Sequence, residues 1–489
     1  MSLIQVSNLS FGYEGNFENI FEQVSFQIDT DWKLGFIGRN GRGKTTFLNL
    51  LMGKYEYTGA IRASVSFDYF PFPVEDLSRD TASVAEQIAP DAEQWELERE
   101  LSCLGVPEDA LLRPFETLSH GERTKILLAA LFLKENNFLL IDEPTNHLDT
   151  QARETVSRYL RSKKGFILVS HDRTFLDGCI DHVLSINKTN IEVQKGNFSS
   201  WQENKERLDL MERTENERLK KDVKRLNAAA RQASGWSDKV EKTKIGTHAA
   251  DRGAIGHKAA KMMKRAKALE ARREQAAAEK SRLLKNVEEE EALSLSVLEY
   301  PKNCLLEVEN LSVDYGNGPV FDAVRFSVGR GERVVLAGKN GCGKSSIIKL
   351  LAGEPVPHTG IVRLGSGLAV SYIPQDTSFL SGSLKDFALR EGIDETLFKT
   401  ILRKLDFSRT QFEMELSTFS AGQKKKVLIA KSLCQKAHLY VWDEPLNYID
   451  VISRIQIEKV LLESCPAMVF VEHDAAFCRK IATRTVMLS

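Results

Sequence analysis

The chain has 489 residues, a formal net charge of −1, 42% hydrophobic residues and 28% charged residues. That composition fits several soluble domains with sizeable cores, and no apolar run approaches the ~18–20 residues a membrane span needs. The opening MSLIQVSNLSFGYEG lacks the basic and apolar regions of a signal peptide, and seven scattered cysteines (Cys103, Cys179, Cys304, Cys342, Cys434, Cys465, Cys478) show no CxxC spacing, so neither a disulfide framework nor a zinc site is expected and the address is cytoplasmic.

In chain order, the first strong signal is the apolar strand LGFI (34–37) running into GRNGRGKT (38–45) and then a helix. This is the GxxxxGK[ST] phosphate loop in the context it requires. Gly38, Gly41 and Gly43, with Asn40 and Thr46 in the same loop, let backbone N–H groups close on phosphate oxygens at a helix N-terminus. Lys44 pairs with the β/γ-phosphates and Thr45 offers a hydroxyl to Mg²⁺. At LSHGE (118–122), Ser119 and Gly121 start an apolar helix and make a second anion-binding N-terminus. The strand FLLIDE (138–143) ends on two carboxylates: Asp142 suits a magnesium contact, and Glu143 can polarise an attacking water as general base. His171 closes the strand FILVSH, 28 residues after that glutamate, and reads as a γ-phosphate contact.

The middle of the chain, 198–298, changes character. Residues 201–241 and 256–291 are rich in helix formers. Leu219, Val223, Leu226, Ala230 and Ala233 keep a 4-3-4-3 spacing, and Ala259, Met262, Ala266, Leu269, Ala276, Leu283 and Val287 keep a heptad register. Two such arms around a glycine-containing break predict a long antiparallel α-helical hairpin, with its tip at about 236–256. Residues 218–273 carry 17 Lys/Arg against 5 Asp/Glu, a local net of +12 in a chain that is otherwise acidic. Such asymmetry on a slender rod favours a polyanion, and the shape favours folded RNA over DNA. Trp236, Ile245, His248, Arg252 and Ile255 are candidates to reach furthest, with Lys242, Lys244, Lys258, Lys261, Lys264 and Arg265 meeting phosphates.

The remainder repeats the beginning. FIGRNGRGKTTFLNLLMG (36–53) returns as LAGKNGCGKSSIIKLLAG (336–353), and LSHGERTKILLAALFL as FSAGQKKKVLIAKSLC (419–434). LLIDEPTNHLD (139–149) returns as YVWDEPLNYID (440–450), and VSHD as VEHD (471–474). Four matched blocks in one order make the chain a tandem duplication. The predicted class is α/β, with nucleotide domains at 1–197 and 299–489 around the 198–298 linker. The second phosphate loop supplies Gly338, Asn340, Gly341, Gly343, Lys344, Ser345 and Ser346. Ser345 and Asp443 suit Mg²⁺, Glu444 is the second base and His473 the second γ-phosphate contact.

This combination of phosphate loop, LSGGQ-like signature, DEP box, NHLD/NYID loop and histidine switch resembles that of ABC-type ATPases, over both halves. The resemblance implies two P-loop ABC ATPase domains paired head to tail within a monomer, with two ATPs between them. One site would join the first loop to Ser420, Gly422 and Gln423; the other would join the second loop to Ser119, Gly121 and Glu122. Tyr13 and Tyr315 match the family's adenine-stacking aromatic, and Gln375 in YIPQD matches its magnesium-contacting Q-loop glutamine. The first half departs, with Phe72 at that position. His120 and Ala421 replace a signature glycine, and Leu446 and Tyr448 replace the Thr and His of the first copy. Two hydrolytic sites of unequal rate are therefore expected.

Two ATPase halves, a linker hairpin and no membrane span resemble the ABC-F family. A transporter subunit has no use for the basic hairpin, and DNA-directed relatives carry far longer coiled coils or zinc modules. The long linker, the tip IGTHAADRGAIGHKAAKMMKRAK, the end of the chain 16 residues after His473, and phosphate-loop-to-signature distances of 75 and 76 residues are similar to the Lsa/Vga-like antibiotic-resistance, ribosome-protection subgroup. That implies binding of the 50S/70S ribosome beside 23S rRNA and P-site tRNA at the tRNA exit site. It also implies displacement of lincosamide, pleuromutilin or streptogramin A drugs, and release on ATP hydrolysis. A general translation factor and a transporter's cytosolic ATPase subunit are the alternatives.

Overall fold

The computed structural model describes residues 2–13, 19–145, 148–187, 190–208, the positions 210–212, 214, 215, 217, 218, 221 and 224, and 293–488 save 317, 322 and 340. Its contacts divide into one unit of Met1–Ser199 with Glu290–Ser489 and another of Ser200–Glu289.

In the first half, β1 (Leu3–Phe11), β2 (Phe21–Asp29) and β4 (Thr58–Arg62) pair antiparallel in the order β2-β1-β4. A six-stranded sheet runs β5 (Ser66–Phe70), β6 (Asn137–Asp142), β7 (Phe166–Val169), β3 (Lys33–Ile37), β8 (His182–Asn187) and β9 (Asn190–Lys195), parallel except for β9. The second half repeats the plan. Its antiparallel sheet is β11 (Val324–Gly329), β10 (Cys304–Val313) and β13 (His358–Leu364). Its parallel sheet is β14 (Val370–Ile373), β15 (Leu439–Asp443), β16 (Met468–Val471), β12 (Arg333–Ala337) and β17 (Arg484–Met487). The unbroken apolar runs FILV and MVFV are buried along their whole length, as strands covered on both faces must be.

Each phosphate loop leaves the carboxyl end of a strand flanked by parallel neighbours on both sides, β3 between β7 and β8 and β12 between β16 and β17. That is where open α/β sheets bind ligands. The helices that follow, α1 (Lys44–Leu51) and Lys344–Leu351, begin behind Gly43 (φ 90°) and Gly343 (φ 84°). A Cβ on Gly43 would lie 2.5 Å from Ile20 Cγ2, and on Gly343 2.6 Å from Phe321 Cδ1, so left-handed backbone and close approach both demand glycine. Phe47, fully buried on α1, packs its ring 5.5 Å from Phe36 and 6.0 Å from Phe21, fixing the loop to both sheets. Beyond α2 (Thr81–Ile88) and α3 (Gln94–Cys103), α4 (His120–Phe132) starts at Ser119; α5 (Thr150–Ser162) and α6 (Arg173–Cys179) follow β6 and β7.

The chain re-enters the second half early. Leu293 lies in that half's core, Val297 bridges to Ala437, and Leu298 N–H donates to the Ala437 carbonyl at 3.0 Å. Taken by itself, the Ser200–Glu289 unit is helical at its described positions up to 224, with Gln202 Nε2 donating to Glu206 Oε1 one turn on at 2.8 Å. The expected hairpin beyond it, the tip at 236–256 and the candidates Trp236, Lys242, Lys244, Ile245, His248, Arg252, Ile255, Lys258, Lys261, Lys264 and Arg265 lie outside the described residues. Among the described residues no helix is long and apolar enough to cross a membrane.

Candidate nucleotide sites

The second phosphate loop opens onto a cavity of about 1200 Å³. The second half contributes Tyr315, Gly341, Gly343, Lys344, Ser345, Ser346, Gln375, Glu444 and His473; the first half contributes Ser119, His120, Gly121 and Glu122 from the start of α4. Residues roughly 190 to 350 positions apart in sequence thus share one cavity, large enough for a nucleoside triphosphate. Ser119 caps its helix reciprocally: its Oγ accepts from Glu122 N at 3.3 Å, while Glu122 Oε2 accepts from Ser119 N at 2.8 Å. Ser420 and Gln423 repeat the device at the head of helix Ala421–Cys434.

Around the first phosphate loop the halves touch directly. Asn40 Nδ2 donates to the Tyr448 carbonyl at 2.7 Å, and Arg42 Nη2 donates to Asp406 Oδ1 at 3.2 Å. A Cβ on Gly422 would stand 3.2 Å from Asn40 Nδ2 and 2.5 Å from the Tyr448 carbonyl oxygen. The second signature glycine therefore lies against the first loop. Lys44 folds onto its own loop, donating to the carbonyls of Gly38 (2.7 Å) and Arg39 (3.2 Å); Lys344 does the same to Gly338 (2.9 Å) and Lys339 (2.8 Å). A phosphate would offer these ammonium groups stronger, charge-assisted partners. Asn340 lies outside the described residues. Tyr13 and Tyr315 are partly exposed and anchored to the loop helices, their hydroxyls 2.9 Å from Thr46 Oγ1 and 2.8 Å from Ser346 Oγ. Each leaves ring surface for a flat base.

Both glutamates sit immediately after a buried strand with left-handed backbone, Glu143 at φ 50° and Glu444 at φ 45°. For a non-glycine residue that conformation costs about 1–3 kcal/mol and persists only where the surroundings impose it. Here Glu143 N–H donates to Val169 O at 2.9 Å and Glu444 N–H to Val471 O at 3.0 Å. Each carboxylate meets its histidine at the same distance, His171 Nε2 to Glu143 Oε1 and His473 Nε2 to Glu444 Oε1, both 3.3 Å.

Their electrostatics diverge. Burial, and then the Asp142 charge, push the Glu143 carboxyl up to about 8, against Lys44 and Arg454. Burial also opposes ionisation of Glu444, but the His473 hydrogen bond, the Gln375 amide and Lys425 outweigh it and leave that carboxyl below its ordinary value. Gln375 Nε2 donates to Glu444 Oε2 at 2.9 Å and Asn447 Nδ2 to the same oxygen at 2.6 Å. Phe72 stands where a glutamine would serve Glu143, and Asn146, the counterpart of Asn447, lies outside the described residues. Burial, reinforced by Lys44 and Arg454, drives His171 well below the ordinary histidine value, so its ring is neutral.

The residues present fit a magnesium ion. Asp443 is completely buried beside the Ser345 hydroxyl, with no well-formed hydrogen bond to either carboxylate oxygen, and burial outweighs Ser345 and lifts the carboxyl to about 6. A carboxylate in that position needs a cation. Asp142 Oδ2 accepts from Thr45 Oγ1 at 3.1 Å, joining the expected hydroxyl and carboxylate, and from Tyr69 OH at 2.9 Å. Among the described residues there is no group of three or more His, Cys, Asp or Glu that could hold a metal.

Several participants escaped the sequence reading. Tyr69, Asn447, Arg153 and Arg454 all recur at matching positions of the two copies, a signal available to a residue-by-residue comparison of the repeats. Lys425 and Arg173 have no such signal, because Thr124 and Ala475 occupy their counterpart positions.

Comparisons with known proteins agree with this geometry. The family described as ABC transporter matches residues 21–146 and 321–447. Ribosome protection protein VmlR of Bacillus subtilis (strain 168) is 28% identical over 509 residues, covering 100% of this chain and 87% of that protein. Probable ATP-binding protein YheS of Escherichia coli (strain K12) is 28% identical over 505 residues, covering 94% of this chain and 75% of its own length. Among solved structures, the archaeal ribosome recycling factor aABCE1, in complex with the ribosomal stalk protein aP1, superposes with a TM-score of 0.63 at 18% identity, covering 98% of this chain and 87% of that one. At that identity the likeness is one of fold. With two matched segments spanning more than half its length, the chain belongs to the ABC transporter family, and it is an ATPase with two tandem ATP-binding domains.

Proposed function

We propose that the protein is an ABC-F-type, ribosome-associated cytoplasmic ATPase whose linker, 198–298, enters the tRNA exit site and displaces antibiotics of the lincosamide, pleuromutilin and streptogramin A type from the peptidyl-transferase region. The observation that carries this reading is the likeness to a ribosome protection protein along the whole chain, linker included. The local net charge of +12 over residues 218–273 supports an rRNA partner.

The two composite sites bind ATP, each phosphate loop cradling the phosphates of one nucleotide while the opposite signature helix closes over it. Mg²⁺ held by Thr45 and Asp142, or by Ser345, Gln375 and Asp443, would neutralise charge on the β- and γ-phosphate oxygens. At the second site Glu444 takes a proton from water as the water oxygen bonds the γ-phosphorus and the bond to the β-bridging oxygen breaks, giving ADP and phosphate. His473 holds Glu444 in place and faces the leaving γ-phosphate. Glu143 and His171 do the same at the first site, more slowly. Loss of the γ-phosphate removes a bridge between the halves, and the protein leaves its partner.

Expression in a susceptible host, grown across a panel of 50S-targeting drugs, tests the drug assignment. Raised inhibitory concentrations for the three named classes, abolished by Glu143→Gln with Glu444→Gln, are expected. A flat panel with ribosome-stimulated ATPase intact would restrict the role to translation.

A further inference from the structure

We propose that Lys425 is a positioning residue for the second ATP site, tying the helix that seals the first site to the loop and strand end that carry Gln375 and Glu444. Lys425 opens the second turn of helix Ala421–Cys434 and is almost fully buried. Its ammonium donates to the carbonyl of Pro374 at 3.0 Å and to the carbonyl of Asp443 at 3.3 Å. Those are the residues immediately before Gln375 and Glu444, which meet each other at 2.9 Å. One buried cation thus fixes, through the backbone, the spacing of two side chains that must converge on one nucleotide. The same side chain lines the cavity of that site.

The other end of the link is Gly422, three residues before Lys425 on the same helix, which lies against Asn40 of the first phosphate loop. A shift of this helix on closure of the first site therefore moves Lys425 and both carbonyls it holds. The internal control is the first half, where Thr124 occupies the corresponding position with a side chain too short for this reach, and Phe72 replaces the glutamine. The tether exists on one side only. Burying an ammonium is costly even with the Asp443 and Glu444 carboxylates nearby, and the position is kept where it matters.

The inference rests on the assignment of Glu444 as the second site's base, so Glu444→Gln is measured alongside. In the full-length protein, Lys425→Met and Lys425→Gln are expected to lower kcat for ATP at least about fivefold while KM and the affinity for a fluorescent ATP analogue stay within about twofold; Lys425→Arg restores most of the turnover. Thermal melting of each variant separates this from loss of fold, and Lys425→Gln keeps a hydrogen-bond donor should Lys425→Met fail to fold. Unchanged kcat in the folded Lys425 variants, or kcat and analogue affinity falling together, would overturn the positioning role. If Glu444→Gln itself leaves turnover intact, the assignment of the base fails instead.

Discussion

Arg153 Nη1 donates to the backbone carbonyl of His473 at 3.3 Å, joining the helix after the first half's DEP box to the second half's histidine switch across 320 positions of sequence. The same nitrogen holds Asp172 Oδ2 at 3.0 Å, and Arg153 Nε holds the Leu148 carbonyl at 3.0 Å. Arg454 copies two of these bonds, to Asp474 Oδ2 at 3.0 Å and the Ile449 carbonyl at 2.9 Å. Arg173, on the first half only, is buried against Glu458 and Asp474 of the second. The second half's switch is therefore tied to the first half by the half-buried Arg153, at His473, and by the buried Arg173, at the neighbouring Asp474. Arg153→Ala is expected to lower ATPase kcat by about 10-fold, a loss of ~1.4 kcal/mol in transition-state stabilisation, with KM little changed. Steady-state ATPase assays on the purified chain check this.

The two bases should not be equal. Glu444 is ionised and held by Gln375, Asn447 and His473, whereas burial keeps the proton on Glu143 up to about 8. Glu444→Gln is expected to reduce turnover by on the order of 10²-fold, and Glu143→Gln by several-fold less. Equal losses in the two single variants would remove the asymmetry.

The signature glycines make a second contrast. A Cβ at Gly422 would meet the Tyr448 carbonyl oxygen at 2.5 Å, while one at Gly121 would meet only Leu148 Cδ2, at an ordinary 3.5 Å. Gly422→Ala drives a Cβ into the Tyr448 carbonyl of its own half, the acceptor of the Asn40 bond, and so disturbs the seam at the first phosphate loop; Gly121→Ala fits. The expected result is a loss of ATPase activity of about 10-fold or more for Gly422→Ala, and within about twofold for Gly121→Ala, in the same assay.

Acid should unfasten the second signature helix. Lys426 Nζ lies 2.8 Å from Asp450 Oδ2, both side chains are buried, and although burial opposes ionisation, Lys426 holds the Asp450 carboxyl well below the ordinary range. A carboxyl depressed on folding contributes stability above its unfolded value of ~3.9 and loses it as pH falls below that. Asp450→Asn is expected to cost about 3–5 kcal/mol at pH 7, because a buried cation loses its partner. Denaturant melts at pH 7 and at pH 3 should show the gap to wild type shrinking in acid.

Much of this was legible in the sequence because the chemistry demands local spacing. The phosphate loops, the strand-end carboxylates and the capping serines are fixed by a few consecutive residues, and duplication printed each of them twice. The bond of Gln375 to Glu444 is not legible there: motifs mark both residues, but their meeting depends on β14 and β15 lying side by side. Lys425, with Lys424 and Lys426 on either side, looks like part of a solvated basic run, and only packing shows that it faces inward. Arg173 and Glu458 are far apart in sequence and have no repeated counterparts, so neither spacing nor duplication could bring them together.

The measurement that bears most directly on the ribosome assignment is sedimentation of the full-length Glu143→Gln, Glu444→Gln variant with ribosomes in ATP. Co-migration with 50S or 70S particles well above wild type, reversed when ATP is replaced by ADP, is the expected result. A double variant that sediments no better than wild type, with ATP bound and the fold intact, would contradict it.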